Sequence, residues 1–185
     1  MRKILLSCSL CFVLSAFLFS NNLTAQVMSN DDLKTLMATE WQRAKVYTQE
    51  YMNTMPADKY SFKAIDSLRS FAQQLLHLAS ANVFLMAQAT GQPPASWVSF
   101  TLEKRTTAQG RDSVMYFVNA SYDYAIDAIK NMDASKLWEH VKRGPYDETK
   151  FAWLQKAFEH QTHHRGQTTI YIRLQGIKPP QEKLF

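Results

Sequence analysis

Apolar residues recur at intervals of three and four through four long stretches of this chain, the period of helices that pack on one face. From about Asp31 to Thr54 the pattern is carried by Leu33, Leu36, Met37, Trp41, Ala44, Tyr47 and Tyr51, with Asn30 or Ser29 available as the N-cap and Pro56 beyond the end. A second stretch, about Asp66 to Ala89, carries Leu68, Phe71, Leu75, Leu78, Val83 and Met86 and stops before Gly91 and Pro93-Pro94. Its second half is apolar on nearly every side, so deep burial is expected there. The third runs from about Asp112 to Met132, aligning Met115, Val118, Tyr122, Ala125, Ile129 and Met132, and a short helical turn is expected near Ser135 to Val141. The fourth begins after Gly144-Pro145 and reaches Leu174, ahead of Gly176 and Pro179-Pro180.

Punctuation is sparse. Five glycines and six prolines occur where 185 average residues would hold roughly 22. An all-β sandwich or barrel needs far more turns, whereas four helices need only their ends marked. The expected fold is all-α, a four-helix bundle of alternating direction. The link from Gly91 to Arg111 is long for such a bundle and contains Trp97 and Phe100. Two readings of it stand: a segment folded over one end of the bundle, or a surface loop with a short helix in it.

Residues 1–25 read as an address. Arg2 and Lys3 precede an apolar run from Ile4 to Phe19, and Leu23-Thr24-Ala25 forms a cleavage site before Gln26. The run is short for a membrane span and is interrupted by Ser7, Ser9 and Ser15, so a cleaved signal peptide is expected, with export to the periplasm or beyond and no stable membrane insertion afterwards. Cys8 and Cys11 lie too near the start to follow a complete signal, which argues against lipid anchoring. The expected mature chain, residues 26–185, is a single domain of 160 residues without a thiol. Disulfides, cysteine–zinc sites and cysteine nucleophiles are thereby excluded from it. Of 21 Lys and Arg, 19 remain against 16 Asp and Glu; the resulting +3, without a basic stripe, gives no reason to expect a nucleic-acid partner.

The histidines carry the chemistry. His160 and His164, four apart, point the same way from the last helix, as chelation of one ion requires. His77 sits in Leu75-Leu76-His77-Leu78-Ala79, where an imidazole without a partner is costly. Counted from the starts of their helices, the three lie at levels differing by only ~3 to 9 Å if helices two and four run the same way. Three imidazoles then meet one divalent ion and leave positions open, the catalytic kind of site, and zinc, nickel and iron all suit imidazole. The expected metal ligands are therefore His77, His160 and His164. His163 is expected in a second shell or solvent, and His140 on the surface. Di-iron bundles need Glu-x-x-His pairs, and no histidine here follows a glutamate by three; His-Glu-x-x-His is also missing.

These residues resemble a known family. His160-Gln-Thr-His163-His164-Arg165-Gly166-Gln167, followed by Tyr171-Ile-Arg173-Leu and Gly176-Ile-Lys-Pro-Pro, is similar to the C-terminal signature of the DinB/YfiT-like superfamily. Arg69-Ser70-Phe71 leading into Leu76-His77-Leu78-Ala79 resembles its first histidine region, so the likeness runs from about Leu33 to Pro180. The resemblance implies a DinB-like bundle, often a homodimer, holding a divalent metal through one histidine of helix two and two of the last helix. Relatives include thiol-dependent S-transferases and a mycothiol-dependent isomerase; export sets this chain apart from a cytosolic thiol cosubstrate.

Two function classes follow. One is a metal-dependent hydrolase or thiol/group transferase acting on a small molecule, with Tyr47, Tyr51, Asn119 or Asp123 as candidates to face the site. The other is a non-catalytic stress-response or binding module whose metal is structural. Around the ligands, Gly166 suggests a close helix crossing or simple tolerance, Arg165 an acidic partner on another helix or an anionic substrate, and Gln167 an orienting bond to a ligand imidazole.

Overall fold

The computed structural model describes residues 27–185, so the expected signal segment and both cysteines lie outside the described residues. Four long helices dominate: α1 (Asn30–Thr54), α2 (Phe71–Thr90), α3 (Arg111–Asn131) and α4 (Lys150–Leu174). None of them is long and apolar enough to cross a membrane.

Helix α1 starts at a capping box in which the Ser29 hydroxyl accepts from the Asp32 amide and the Asp32 carboxylate accepts from the Ser29 amide. The same device sets the start of α2. Ser70 and Gln73 cap each other, so this helix begins at Phe71, five residues later than the apolar period suggested. The preceding loop is pinned instead: the Phe71 amide donates to the Phe62 carbonyl and the Ala72 amide to that of Tyr60. Leu68, expected on the buried face, is 43% exposed in that loop. Gly91 closes α2 at φ 77°, a left-handed conformation that a side chain would resist.

Helix four also begins later than expected. After a 3-10 turn at Ala134–Lys136, two antiparallel strands, β1 (His140–Arg143) and β2 (Tyr146–Thr149), are joined by Gly144-Pro145, with Gly144 at φ 57°. Thr149 then caps α4. The sequence pattern missed this hairpin because strands of four mostly exposed residues leave no alternation to read. His140 stands exposed in β1, as expected, beside Asp147.

Around the bundle the neighbours run α1, α3, α2, α4 and back to α1. Directions follow from cross-helix pairs. Arg69 meets Tyr171, Gln74 meets His164 and His77 meets His160, so α2 and α4 are antiparallel, contrary to the expected alternating order. Trp41–Phe158, Tyr47–Arg165 and Tyr51–Thr169 make α1 parallel to α4, and Lys45–Asp123 with Gln49–Asn119 make α3 antiparallel to α1. The order is therefore up, down, down, up, with α2 and α3 parallel neighbours.

That topology explains the long link. A chain joining parallel neighbours has to travel back the length of the helix it has just left. Residues 92–110 do so along α2: Ser99 accepts from Ser80, Phe100 stacks on Phe84 at 3.9 Å, and Glu103 reaches His77 and Arg69. Of the two readings of this segment, the surface loop with a short helix in it is nearer than the end cap: the segment is a strap lying against α2, with 3-10 turns at Leu102–Lys104 and Thr106–Ala108.

The core holds Trp41, Met52, Phe71, Leu75, Leu76, Leu78, Met86, Tyr122 and Ile129, all at most 1% exposed. Burying each leucine contributes about 1.5–3 kcal/mol. Leu75, Leu76 and Leu78 surround His77 in sequence, so the packing that fixes α2 also fixes where its imidazole points.

Candidate metal centre

The three expected ligands come together between α2 and α4. Ring centroids of His77, His160 and His164 lie 4.4 to 5.2 Å apart, and one ligand nitrogen from each falls within 4.8 Å of the others. Antiparallel helices bring this about: four residues separate His160 from His164, one turn on α4, and His77 sits across from that turn on α2.

Oxygen atoms orient two of the rings. His77 Nδ1 lies 2.6 Å from Glu103 Oε2, and His164 Nδ1 lies 2.8 Å from Gln74 Oε1. With Nδ1–H donating to oxygen, both Nε2 atoms keep free lone pairs, the tautomer that metal-ligating imidazoles usually adopt. His160 Nδ1 is buried without a hydrogen-bond partner among the described residues.

Charge is suppressed on all three rings. Burial pushes His164 down to about 3 and His160 to about 4, helped by the neighbouring imidazoles and by Arg69. Burial and Arg69 also lower His77, against the opposing pull of Glu103. At neutral pH the cluster is three neutral nitrogen donors, which suits a divalent ion and would leave coordination positions open.

A cleft of about 520 Å³ opens beside His164, lined among others by Lys63, Asp66, Arg69, Glu103 and Gln167. Glu103 is the residue that sequence reasoning missed. It lies on the strap, 26 positions from His77, and its Oε1 also accepts from Arg69 Nε at 3.0 Å. Only the return path along α2 brings it to the site, so no local motif announces it. Gln74, one turn before His77 on α2, had a local signal: a polar residue buried within an apolar helix face.

Other expectations need correction. Gln167 donates no bond to His77, His160 or His164; its Nε2 pairs with His163 Nε2 at 2.9 Å, on the exposed side of α4, and its Oε1 is buried without a partner among the described residues. Gly166 has nothing within 4 Å of the Cβ it lacks, so no close crossing explains it, and the reading of simple tolerance holds. Arg165 is buried and forms no ion pair with a carboxylate among the described residues. Its Nη1 donates to Gln161 Oε1 at 3.0 Å and its guanidinium lies 4.6 Å over the Tyr47 ring. Tyr47 and Tyr51 bond each other, Asn119 accepts from Gln49, and Asp123 pairs with Lys45, so these four candidates are engaged away from the imidazoles.

The profile of the DinB family matches residues 28–184. Among solved structures, the chain is similar to a DinB-like protein from Bacillus cereus ATCC 10987, with 15% identity and a TM-score of 0.68 over 80% of this chain and 95% of that one. It is also similar to a DinB-like protein from Bacillus subtilis, with 18% identity and a TM-score of 0.61 over 81% of this chain and 96% of that one. At these identities the likeness speaks for the fold. No curated protein gives a significant match.

Proposed function

The chain belongs to the DinB family, and from that premise we propose that it is an exported enzyme whose His77, His160 and His164 hold a divalent metal ion, zinc, nickel or iron, for hydrolysis or for thiol or other group transfer. The observation that carries this reading is the cluster of three neutral imidazoles, two of them held through Nδ1 by oxygen acceptors, beside a substrate-sized cleft. A structural site is normally closed by a fourth protein ligand, and the described residues supply three.

When bound, such an ion supplies Lewis-acid polarisation and a lowered pKa for an attacking water or thiol. The chain's own residues do the positioning. Glu103 and Gln74 fix two ring orientations from outside the ligand set, and the buried leucines of α2 fix the helix whose half-buried side presents His77 to α4. Export rests on the signal-like residues 1–25, and it places the reaction in a compartment where a thiol-free chain is immune to disulfide exchange.

The test is metal loading followed by hydrolysis and thiol-transfer screens on protein purified without an affinity tag. We expect turnover that requires the ion and is lost in His160→Ala. An ion that raises the melting temperature strongly while no substrate turns over favours the structural-metal module instead.

A further inference from the structure

The cleft beside the imidazoles is polar almost throughout; Leu68 is the one aliphatic side chain in its lining. Within it, Arg69 differs from an ordinary surface arginine. Its carbonyl accepts from the Tyr171 hydroxyl at 2.6 Å, which ties its backbone to α4, and its Nε donates to Glu103 Oε1 at 3.0 Å. Glu103, whose side chain is only 14% exposed, holds His77 with its other oxygen. One carboxylate thus aligns a ligand imidazole and a guanidinium together.

That bond occupies Nε alone. The two terminal amines of Arg69 have no hydrogen-bond partner among the described residues, and the side chain is 39% exposed on the cleft wall. A guanidinium held by Nε with both amines free is a fork matched to a planar oxyanion. Net charge favours the same class. Arg69 and Glu103 cancel, as do Lys63 and Asp66 on the exposed rim, so a divalent ion among neutral imidazoles leaves the cleft positive.

We propose that Arg69 is the anion-binding residue of this cleft, so that the substrate is a small hydrophilic molecule bearing a carboxylate, gripped by the Arg69 amines while its reacting group reaches the three-histidine centre. The ligand class rests on the metal reading above for its net charge, whereas the fork itself does not.

The experiment uses cobalt(II)-loaded protein, whose visible absorption bands report ligands near the ion, titrated with acetate, methylphosphonate and uncharged acetamide. Wild type is expected to bind acetate at least about tenfold more tightly than acetamide. Arg69→Met is expected to lose about tenfold in acetate affinity at unchanged cobalt stoichiometry, and Arg69→Lys to recover part of the affinity while losing the preference for acetate over methylphosphonate. Acetate binding to Arg69→Met as tightly as to wild type overturns the proposal, because the ion alone would then hold the anion. Failure to take up cobalt would contradict the metal reading instead. The fork is then decided by ¹⁵N NMR on metal-free protein, where a saturable shift of the Arg69 Nε–H with acetate supports it and no shift overturns it.

Discussion

His164 and Arg165 are neighbours on α4, and they face two polar clusters of opposite character. On the Arg165 side, Thr48 meets the Tyr122 hydroxyl at 2.7 Å, Tyr122 donates to Gln161 at 2.8 Å, and Gln161 accepts from Arg165, with the Tyr47 ring beneath the guanidinium. That chain is closed: its members are buried, and among the described residues none of their fully buried side-chain polar atoms lacks a partner, with Gln161 Nε2 donating to the Thr162 hydroxyl and Thr48 also reaching the Ala44 carbonyl. On the His164 side, two imidazole Nε2 atoms, His160 Nδ1 and Gln167 Oε1 have no hydrogen-bond partner among the described residues, and a cleft leads in from solvent. A closed network specifies how helices pack; an open one, held in place by outer oxygen atoms, is organised for something that arrives.

Substitutions on the two sides should therefore separate. His160→Ala is expected to reduce metal affinity at least about a hundredfold while far-ultraviolet circular dichroism stays helical. Gln161→Leu, the adjacent residue, strips the buried Arg165 of its hydrogen-bond acceptor and is expected to cost about 1.5–3 kcal/mol in urea unfolding, with metal stoichiometry unchanged. If the two variants swap phenotypes, the contrast fails. Glu103→Gln tests the outer ring of the open side: about a 10- to 100-fold loss of metal affinity is expected, with little change in unfolding of the metal-free form.

Proton linkage sharpens the contrast further. The lowered values of His160 and His164 mean that the unfolded chain takes up protons near pH 6.5 while the folded cluster refuses them until about pH 4 to 3. Their contribution to the stability of metal-free protein is complete above pH 6.5 and is lost as pH falls through that window. Melting temperature followed from pH 7 to pH 4 should decline, and the decline should be shallower in His164→Gln. The smallest effect belongs to Gly166, exposed and mid-helix with open space around it. Gly166→Ala is expected to stabilise by about 0.5–1 kcal/mol in the same unfolding assay, without altering metal binding.

What the sequence disclosed, and what it hid, follows the range of the signals. Helical period and end signals act over a turn or two, so four helices and the pairing of His160 with His164 were legible. Helix starts were less so: Ser70 with Gln73, and Thr149, override an apolar period that continues past them. Direction was not legible, because no local residue records whether α2 and α4 run together or oppositely. His77 meets His160 and His164 through an antiparallel register that sequence depth alone did not supply. Glu103 was hidden for the same reason, since its role exists only once the strap has returned along α2. The close crossing suggested for Gly166 and the acidic partner suggested for Arg165 came from local chemistry, and their surroundings supply neither.

The most direct test of the account is the metal content of untagged wild-type protein measured side by side with His160→Ala and Gln161→Leu after the same metal loading and dialysis. Close to one divalent ion per chain is expected in wild type and in Gln161→Leu, and next to none in His160→Ala. Equal metal in all three variants, or none in wild type, contradicts the claim that the open face of α4 is a metal centre.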